Sequence, residues 1–390
     1  MDLLIITGIV LALMLNFVNG VNDASHSIAT VVETRALSPL KASVSSAIAN
    51  FIGPFVFTTA VAATIGTALV VPGAMTPLSL VVAMLVSIML ILTATHIGLP
   101  VSSSHALIGG ILGTGVAVAG LSALILPPAA MIRALVLFSL TGAGIGALIL
   151  SILAYYLEEG IRPALVLGVI FGISVTIPLM ILAGLLVLSG ILAIIVFIFI
   201  SPVIGFIAAF LFDLLVSHLF RFSRQNRMRR IFQPLQVAAS LFQAAGHGAN
   251  DGQHAVGVIC ALLLAGGLIP LFMVPLWVII LSAAAIALGT SFGGWKVINK
   301  LAKEITKIRP YQGFCAATSG GAVLAMVTTY GIPVSSTQVM SGSIVGVGAT
   351  RGVKAVKWEV TRRMTEAWVV TIPLAFALSW SAYVVLSWFL

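Results

Sequence analysis

Two carboxylates occupy matching places of a repeated motif in apolar sequence, where both could bind a small cation. Asp23 follows Asn22, and Asp251 follows Asn250, each within a stretch that contains glycine. A buried carboxylate is costly unless it is paired, so an aspartate inside an apolar segment indicates a functional site. Carboxylate and amide oxygens suit a hard cation such as Na⁺, whereas protonation of the same carboxylates would also remove the buried charge. The residues leave Na⁺ and H⁺ open, and an aspartate that only caps a helix is the structural alternative.

A second pair of motifs offers hydrogen-bond donors of the kind that bind an anion. Each copy places a proline, Pro100 or Pro333, directly before valine and a run of hydroxyl side chains. Proline disfavours helix in the residue before it, and a helix that begins afterwards presents unpaired N–H groups that attract anions. We predict that two such tips surround a small tetrahedral oxyanion, although plain N-capping is the simpler structural interpretation. The predicted anion ligands are Ser102, Ser103, Ser104, His105, Ser335, Ser336, Thr337 and Gln338.

The composition places these motifs in a membrane protein. Hydrophobic residues make up 60% of the 390 residues and charged residues 7%, against about 25% charged in soluble domains. Apolar runs long enough to cross about 30 Å of hydrocarbon recur along the chain, so we predict an all-α integral membrane protein. The net charge of +9 is expected to reflect cytoplasmic loops that face anionic lipid rather than nucleic acid. Cys260 and Cys315 lack metal-ligand spacing and predict neither a disulfide nor a metal site.

Basic residues alternate between equivalent loops of the two halves of the chain. The basic stretches are 35–41, 292–310 and 351–363, and their counterparts 261–270, 66–76 and 120–130 contain no Lys or Arg. Equivalent loops with opposite basic content are expected on opposite sides of the membrane. We therefore predict two inverted repeats in a multi-pass protein of the cell membrane, with basic loops in the cytoplasm and both termini outside.

Each half is predicted to contain a broken helix with the Asn-Asp motif, a second span, a helical hairpin that turns at the proline, and a closing span. The first repeat covers residues 1–156 and the second covers 233–390. Residues 157–232 form a connector of two helices, near 163–189 and 191–220, and a basic cytoplasmic loop. The hairpins could be re-entrant, because irregular backbone within a membrane is tolerated where protein or a watery cavity surrounds it.

The motif pairs resemble those of the inorganic phosphate transporter (PiT) family of sodium/phosphate symporters. The likeness rests on Gly248-Ala249-Asn250-Asp251 and Pro333-Val334-Ser335-Ser336-Thr337, and it extends over both halves. The resemblance implies a secondary transporter, often a homodimer, that moves phosphate with Na⁺ or H⁺ and needs no other cofactor. It also implies that Asn22, Asp23, Asn250 and Asp251 bind the ion and that the Ser/Thr tips bind phosphate.

The chain departs from the family pattern at several positions. Gln338 replaces a histidine that many members have, and Asn50 and Ala317 stand near positions where some relatives have glutamate. The missing acids favour Na⁺ over H⁺, with Na⁺ held at Asp23 and Asp251. The main hypothesis is therefore import of inorganic phosphate coupled to Na⁺ by alternating access, and the alternative is an H⁺-coupled phosphate or sulfate permease.

Two other classes of function fit the sequence less well. An anion channel would not need paired buried carboxylates beside an anion site. An enzyme would need a nucleophile with its base or a metal cluster, and the chain offers only the local proximity of Ser102 to His105. We therefore predict a transporter rather than an enzyme, and the roles of His26 and His254 stay open.

Overall fold

The structure, a computed structural model, describes residues 3–98, 101–293 and 307–389. Within these ranges the chain is mainly helical, and the β-type pairing among the described residues is one isolated bridge between Val70 and Leu124. Seven of the described helices are long and apolar enough to cross a membrane, and a pair bent by 77° would supply an eighth if it forms one span. The prediction of an all-α, multi-pass membrane protein is confirmed at this level.

The described residues form fourteen α-helices. In chain order they are α1 (Leu3–Glu33), α2 (Pro39–Val56), α3 (Ala60–Thr67), α4 (Pro77–Ile97), α5 (Ser103–Ala119), α6 (Ala129–Tyr156), α7 (Ile161–Leu182), α8 (Gly190–Leu219), α9 (Gln225–Asp251), α10 (Gln253–Ala265), α11 (Leu276–Phe292), α12 (Pro310–Thr329), α13 (Ser336–Ala349) and α14 (Trp358–Leu386). The two predicted connector helices correspond to α7 and α8.

The glycine of each Asn-Asp motif holds its helix against a helix from the other half of the chain. A Cβ atom at Gly20 of α1 would clash with the Ile286 carbonyl of α11, and one at Gly248 of α9 would clash with the Asn50 carbonyl of α2. Gly289 and Gly53 make the reciprocal approaches from α11 and α2. Backbones approach this closely only where side chains are very small. Helices from the two sequence halves are therefore interleaved around the motifs.

We expect Gly248→Ala to destabilise the protein, because the added methyl group meets backbone atoms that cannot rotate away. Alanine is intrinsically better than glycine in a helix by about 1 kcal/mol, but overpacking typically costs about 1–3 kcal/mol and is expected to win here. Thermal unfolding of the purified protein in detergent measures the effect. Gly144→Ala on α6 is the control, since no heavy atom lies within 4 Å of its added Cβ. An unfolding midpoint for Gly248→Ala at or above that of the control would contradict the packing argument.

The predicted helical hairpins correspond to the helix pairs α4–α5 and α12–α13, and residues 99–100 of the first turn lie outside the described residues. Each turns at a glycine in the left-handed region, Gly98 with φ 71° and Gly331 with φ 67°, where a side chain would be strained. In the first hairpin the Ser87 hydroxyl of α4 donates to the Ala106 carbonyl of α5 at 3.1 Å. The turns place the start of α5 and the start of α13 inside the helical bundle.

Glycines at four-residue spacing pack both hairpins against neighbouring helices. A Cβ at Gly109 or Gly113 of α5 would clash with backbone carbonyls of α14. A Cβ at Gly342 or Gly346 of α13 would clash with backbone carbonyls of α8. The connector helix α8 therefore supports the second hairpin in the way that α14 supports the first.

The Asn-Asp motifs lie in helical backbone. The prediction that the motif breaks its helix is therefore wrong at the first copy. α1 continues through Asp23 to Glu33. At the second copy only Gly252 separates α9 from α10, and it keeps helical angles (φ −59°, ψ −27°) while its N–H donates to the Gly248 carbonyl at 3.0 Å. Apolar surroundings favour backbone groups that are paired within the helix, and neither motif contains a proline to unpair them. The motifs therefore offer side-chain oxygens to an ion, rather than free carbonyls.

The described residues of the basic loops meet at one end of the bundle, here called the basic end, while residues 294–306 of the stretch 292–310 lie outside the described residues. Arg35, Arg229 and Arg309 line one cavity of about 530 Å³ together with Glu33. The Arg351 side chain donates to the Lys307 carbonyl near the same loops. The uncharged loops 66–76 and 120–130 contact each other instead, through the Val70–Leu124 bridge. Arg35, Arg229, Arg309 and Arg351 therefore gather at the basic end.

Candidate ion and substrate site

Asp23 and Asp251 come from opposite halves of the sequence and meet in one buried site. Nε2 of His247 lies 3.7 Å from Asp23 Oδ2 and 3.3 Å from Asp251 Oδ2. The Ser336 hydroxyl lies 3.5 Å from Asp23 Oδ2 and 2.9 Å from Asp251 Oδ2. All four side chains are buried. The two motif copies therefore build one carboxylate pair rather than two separate sites.

His247 is the central residue that the sequence analysis missed. It takes the same place in the second motif that Asn19 takes in the first, so the exchange of residue type hid it from a search for repeated residues. The Asn19 amide also belongs to the site, because its oxygen accepts from the Ser103 hydroxyl at 2.7 Å and its nitrogen lies 3.5 Å from Asp251 Oδ2. Both His247 and Asn19 could have been identified from their matching positions within the motifs, rather than from residue identity.

The hydrogen bonds of Asn50 determine the tautomer of a neutral His247, whose Nε2 atom faces the two acids. Asn50 Nδ2 donates to the Thr290 hydroxyl at 3.0 Å, and that hydroxyl itself donates to the Ile286 carbonyl. Asn50 Oδ1 is therefore the acceptor for His247 Nδ1 at 2.8 Å. A neutral His247 would then turn the lone pair of Nε2 toward two carboxylates, which is unfavourable. A proton on Nε2 or a cation between these groups removes the conflict.

The charges of the site do not balance among its own groups. Two carboxylates carry two negative charges, and His247 contributes at most one positive charge. A buried charge without compensation is strongly unfavourable. Asp23, His247 and Asp251 each offer a ligand atom, and these three atoms lie within 4.8 Å of one another. The arrangement is therefore suited to one more cation or proton.

Asn22 connects the first carboxylate to the first hairpin. Its Nδ2 donates to Asp23 Oδ1 at 2.7 Å and to the Val101 carbonyl at 3.2 Å. Its Oδ1 accepts from the Thr95 hydroxyl of α4 at 2.8 Å. The predicted cation ligand Asn22 thus positions Asp23 and has its own oxygen already occupied by a hydroxyl.

Asn250 has the equivalent place beside the second hairpin but keeps a free oxygen. Its Nδ2 donates to the Thr328 hydroxyl of α12 at 2.9 Å and to the Ile332 carbonyl at 3.4 Å. Its Oδ1 is buried without a hydrogen-bond partner among the described residues, as is Oδ1 of Asp251. The second motif copy therefore leaves two unpartnered oxygen acceptors next to each other in the chain.

Three of the predicted anion ligands direct their hydroxyls toward the carboxylates. The Ser103 hydroxyl lies 3.3 Å from Asp23 Oδ2, and the Thr337 hydroxyl donates to Asp23 Oδ1 at 3.1 Å. The Ser336 hydroxyl donates to Asp251 Oδ2 at 2.9 Å. Because Ser103 and Ser336 begin α5 and α13, the positive ends of two helix dipoles also point toward the acids. The hairpin tips and the Asn-Asp motifs therefore form one continuous polar site.

The remaining hydroxyls of the two tips serve the fold around the site. Ser102 accepts from the backbone N–H of His105 at 3.2 Å, and Ser335 accepts from that of Gln338 at 3.3 Å. These are ordinary N-caps. The Ser104 hydroxyl donates to the Val334 carbonyl at 3.1 Å, which joins the first tip to the second. The tips thus contact each other, as expected for facing hairpins.

His105 and Gln338 bond to helices outside the site, although both are among the predicted anion ligands. The His105 ring donates to the backbone of Trp368 in α14. The Gln338 amide oxygen accepts from the Ser201 hydroxyl of α8 at 3.3 Å. The side chain of His26 lies outside the described residues, and His254 is buried with Nε2 unpartnered among those described.

Comparisons with known proteins place the chain in a family. Residues 19–379 match the sequence model of the Phosphate transporter family. A probable low-affinity inorganic phosphate transporter of Rhizobium meliloti is 36% identical and aligns with 96% of this chain and 94% of its own length. A Bacillus subtilis protein with the same description is 33% identical over 99% of each chain.

A solved structure described as the sodium-dependent phosphate transporter has the same fold. It superimposes on the full length of both chains with a TM-score of 0.70 at 22% sequence identity. The family and the similar proteins are transporters and not enzymes. From the match over nearly its whole length, this chain belongs to the phosphate transporter family.

Proposed function

We propose that this protein imports inorganic phosphate coupled to Na⁺ by alternating access, with Na⁺ held at Asp23 and Asp251. The observation that carries the proposal is the buried carboxylate pair, whose charge exceeds what His247 can compensate. Na⁺ suits hard oxygen donors, and Asn22 and Asn250 position or extend that donor set. The solved structure of the same fold is described as sodium-dependent, which supports Na⁺. The descriptions of the bacterial relatives name phosphate and not the coupling ion.

The hydroxyls of Ser103, Ser336 and Thr337 provide a way to couple the two ligands. Without a cation the protons of Ser336 and Thr337 are directed to the carboxylates, and that of Ser103 is directed to the Asn19 oxygen beside them. A Na⁺ ion at those carboxylates would repel the same protons while it attracts the hydroxyl oxygens. The hydroxyls could then donate to phosphate oxygens, together with the N–H groups at the starts of α5 and α13. Cation binding would thus prepare the anion site.

The proposed architecture is a pair of inverted repeats, residues 1–156 and 233–390, with the connector at 157–232. The reciprocal contacts of Gly20 with α11 and of Gly248 with α2 support it. If the basic end faces the cytoplasm, as Lys and Arg in loops favour, both termini are outside the cell membrane. In α6 only Gly142 and Ala154 are buried within one chain, which supports a homodimer in a lipid bilayer.

Phosphate uptake by proteoliposomes tests the coupling directly. Radiolabelled phosphate is offered at fixed pH with an inward gradient of Na⁺ or of K⁺. Uptake above that of protein-free liposomes is expected with Na⁺ alone. Equal uptake with both cations would contradict Na⁺ coupling. Excess unlabelled sulfate tests the anion in the same assay, and strong inhibition by sulfate would contradict specificity for phosphate.

An H⁺-coupled phosphate or sulfate permease is the second candidate, and His247 is the observation that favours it. The imidazole lies between both carboxylates and can supply the compensating charge when it carries a proton on Nε2. An inward pH gradient without Na⁺ would then drive uptake. The absence of such uptake, with Na⁺-driven uptake intact, would exclude this candidate.

A further inference from the structure

We propose that phosphate passes between the central site and the basic end along a polar seam between α1 and α9, and that Gln243 binds it on the way. This inference rests on the proposed phosphate transport and extends it to a second, transient binding position. We call this surface the α1–α9 seam. Its members on α9 are Gln236, Ser240, Gln243, His247 and Asp251, and its members on α1 are Asp23, Ser27, Thr30 and Thr34.

Both sets of residues fall on one face of their helix. The α9 members are separated by four, three, four and four residues, and those of α1 by four, three and four. Such spacing keeps side chains on one side of a helix with 3.6 residues per turn. Every member except Thr34 is buried. Two continuous polar stripes therefore run through the interior of an otherwise apolar protein.

Contacts at both ends show that the two stripes face each other. At one end His247 Nε2 lies 3.7 Å from Asp23 Oδ2. At the other end Gln236 accepts from the Thr34 hydroxyl at 2.8 Å and donates to the Thr30 carbonyl at 2.9 Å. Eleven residues separate the end contacts on each helix (23 to 34 and 236 to 247), a length of about 16 Å. Ser240 and Gln243 lie on the same face of α9 between these two contacts.

The middle of the seam contains polar atoms that the protein leaves unpaired. Both Oε1 and Nε2 of Gln243 lack a hydrogen-bond partner among the described residues, although the residue is 0% exposed. The Ser240 and Thr30 hydroxyls are unpaired in the same way. Buried polar groups are nearly always hydrogen-bonded, so this cluster indicates a position that a polar solute or water occupies in part of the cycle.

The chemistry of the seam suits an anion in transit. Amide N–H and hydroxyl groups donate to phosphate oxygens without a fixed charge, so they bind it weakly enough to release it. At the end of the seam that lies at the basic end, Thr34 also lines the cavity of about 530 Å³ with Arg35, Arg229 and Arg309. A cavity with three arginines and one glutamate raises the local concentration of anions. The seam therefore joins an anion-attracting cavity to the carboxylate and hydroxyl site.

Substitution of Gln243 distinguishes a role in the passage of phosphate from a role in phosphate binding at the central site. Gln243→Leu keeps a similar volume and removes both polar atoms. Phosphate uptake is expected to fall about tenfold, the effect of one lost hydrogen bond in a rate-limiting passage, while equilibrium phosphate binding to the purified protein changes less than about twofold. Unchanged uptake would overturn the proposal. A parallel loss of binding would place Gln243 in the central site and also overturn it.

Cysteine labelling tests the route without relying on transport. In a background with Cys260→Ala and Cys315→Ala, Gln243→Cys and Ser240→Cys are treated from the basic end with the anionic reagent sulfonatoethyl methanethiosulfonate. Labelling that phosphate slows is expected at both positions. Ala244→Cys is the matched control, since Ala244 is equally buried but lies one residue off the stripe. Labelling of Gln243→Cys no faster than this control would overturn the proposal.

Different results would contradict phosphate transport by this protein and phosphate passage along the α1–α9 seam. If the unmodified protein takes up no phosphate under any ion gradient, the proposed function fails. If the unmodified protein is active but Gln243→Cys stays unlabelled, only the route through the α1–α9 seam fails.

Discussion

Asp23→Asn and Asp251→Asn are each expected to lower Na⁺-driven phosphate uptake about a hundredfold or more. Asparagine has the shape of aspartate, so packing is preserved while one negative charge is lost. Removal of one partner from a buried charge pair costs about 3–5 kcal/mol, which corresponds to at least a hundredfold in a binding constant. Initial rates of uptake into proteoliposomes measure the effect. At the same concentration, Na⁺ should also raise the thermal unfolding midpoint of the unmodified protein more than that of either variant.

Asp213→Asn is the matched control for these two variants. Asp213 on α8 is also fully buried, but it lies outside the site and accepts from the Thr350 hydroxyl at 2.5 Å. This variant is expected to keep Na⁺-dependent uptake, whatever its effect on stability. If Asp23→Asn or Asp251→Asn keeps the Na⁺ dependence of the unmodified protein, the carboxylate pair does not bind the coupling ion.

The two aspartates are not expected to respond equally. Asp23 Oδ1 already accepts from Asn22 and Thr337, at 2.7 and 3.1 Å. Asp251 Oδ1 is buried without a partner among the described residues. An unpaired oxygen is the more available ligand for an incoming cation. The Na⁺ concentration for half-maximal uptake should therefore rise more in Asp251→Asn, and residual uptake at high Na⁺ should be easier to detect in Asp23→Asn.

Repetition in the sequence predicted the parts of the site that the two halves share. Both aspartates, together with Ser103 and Ser336, lie where two repeated motifs with mirrored loop charges were expected to meet. His247 was missed because the repeat has asparagine at the matching position, Asn19. A search for repeated residues does not find positions at which the two copies differ. Such positions nevertheless make the two halves of the site chemically different.

Helix geometry explains why the predicted anion ligands separate into two groups. Successive residues of an α-helix are rotated by about 100°, so four consecutive side chains cannot all face one ligand. Ser103 and Ser336 face the carboxylates, whereas His105 and Gln338, two residues further along, reach α14 and α8. The sequence could locate the tips but not the rotation of each helix about its axis, which the packing against α14 and α8 determines.

His247→Asn gives the second copy the residue that the first copy has at Asn19, and we expect it to increase the affinity for Na⁺. A protonated imidazole and a sodium ion compete for the same two carboxylates. Without the imidazolium the site keeps both negative charges, so the Na⁺ concentration for half-maximal uptake should fall about tenfold or more at constant pH. Any uptake driven by H⁺ alone should weaken, because the imidazole that offers a proton beside both acids is gone and only the carboxylates can carry one.

The reciprocal variant and the double exchange make this prediction decisive. Asn19→His adds a second imidazole beside Asp251 and should weaken Na⁺ binding. The combination of Asn19→His with His247→Asn moves a single imidazole across the site and should return the Na⁺ dependence toward that of the unmodified protein. If His247→Asn instead weakens Na⁺ binding, His247 is a neutral ligand whose Nε2 lone pair contacts the ion. In that case the site would hold Na⁺ through an imidazole nitrogen and two carboxylates. The one negative charge that remains would be stabilised by the Ser/Thr hydroxyls and the helix N-termini.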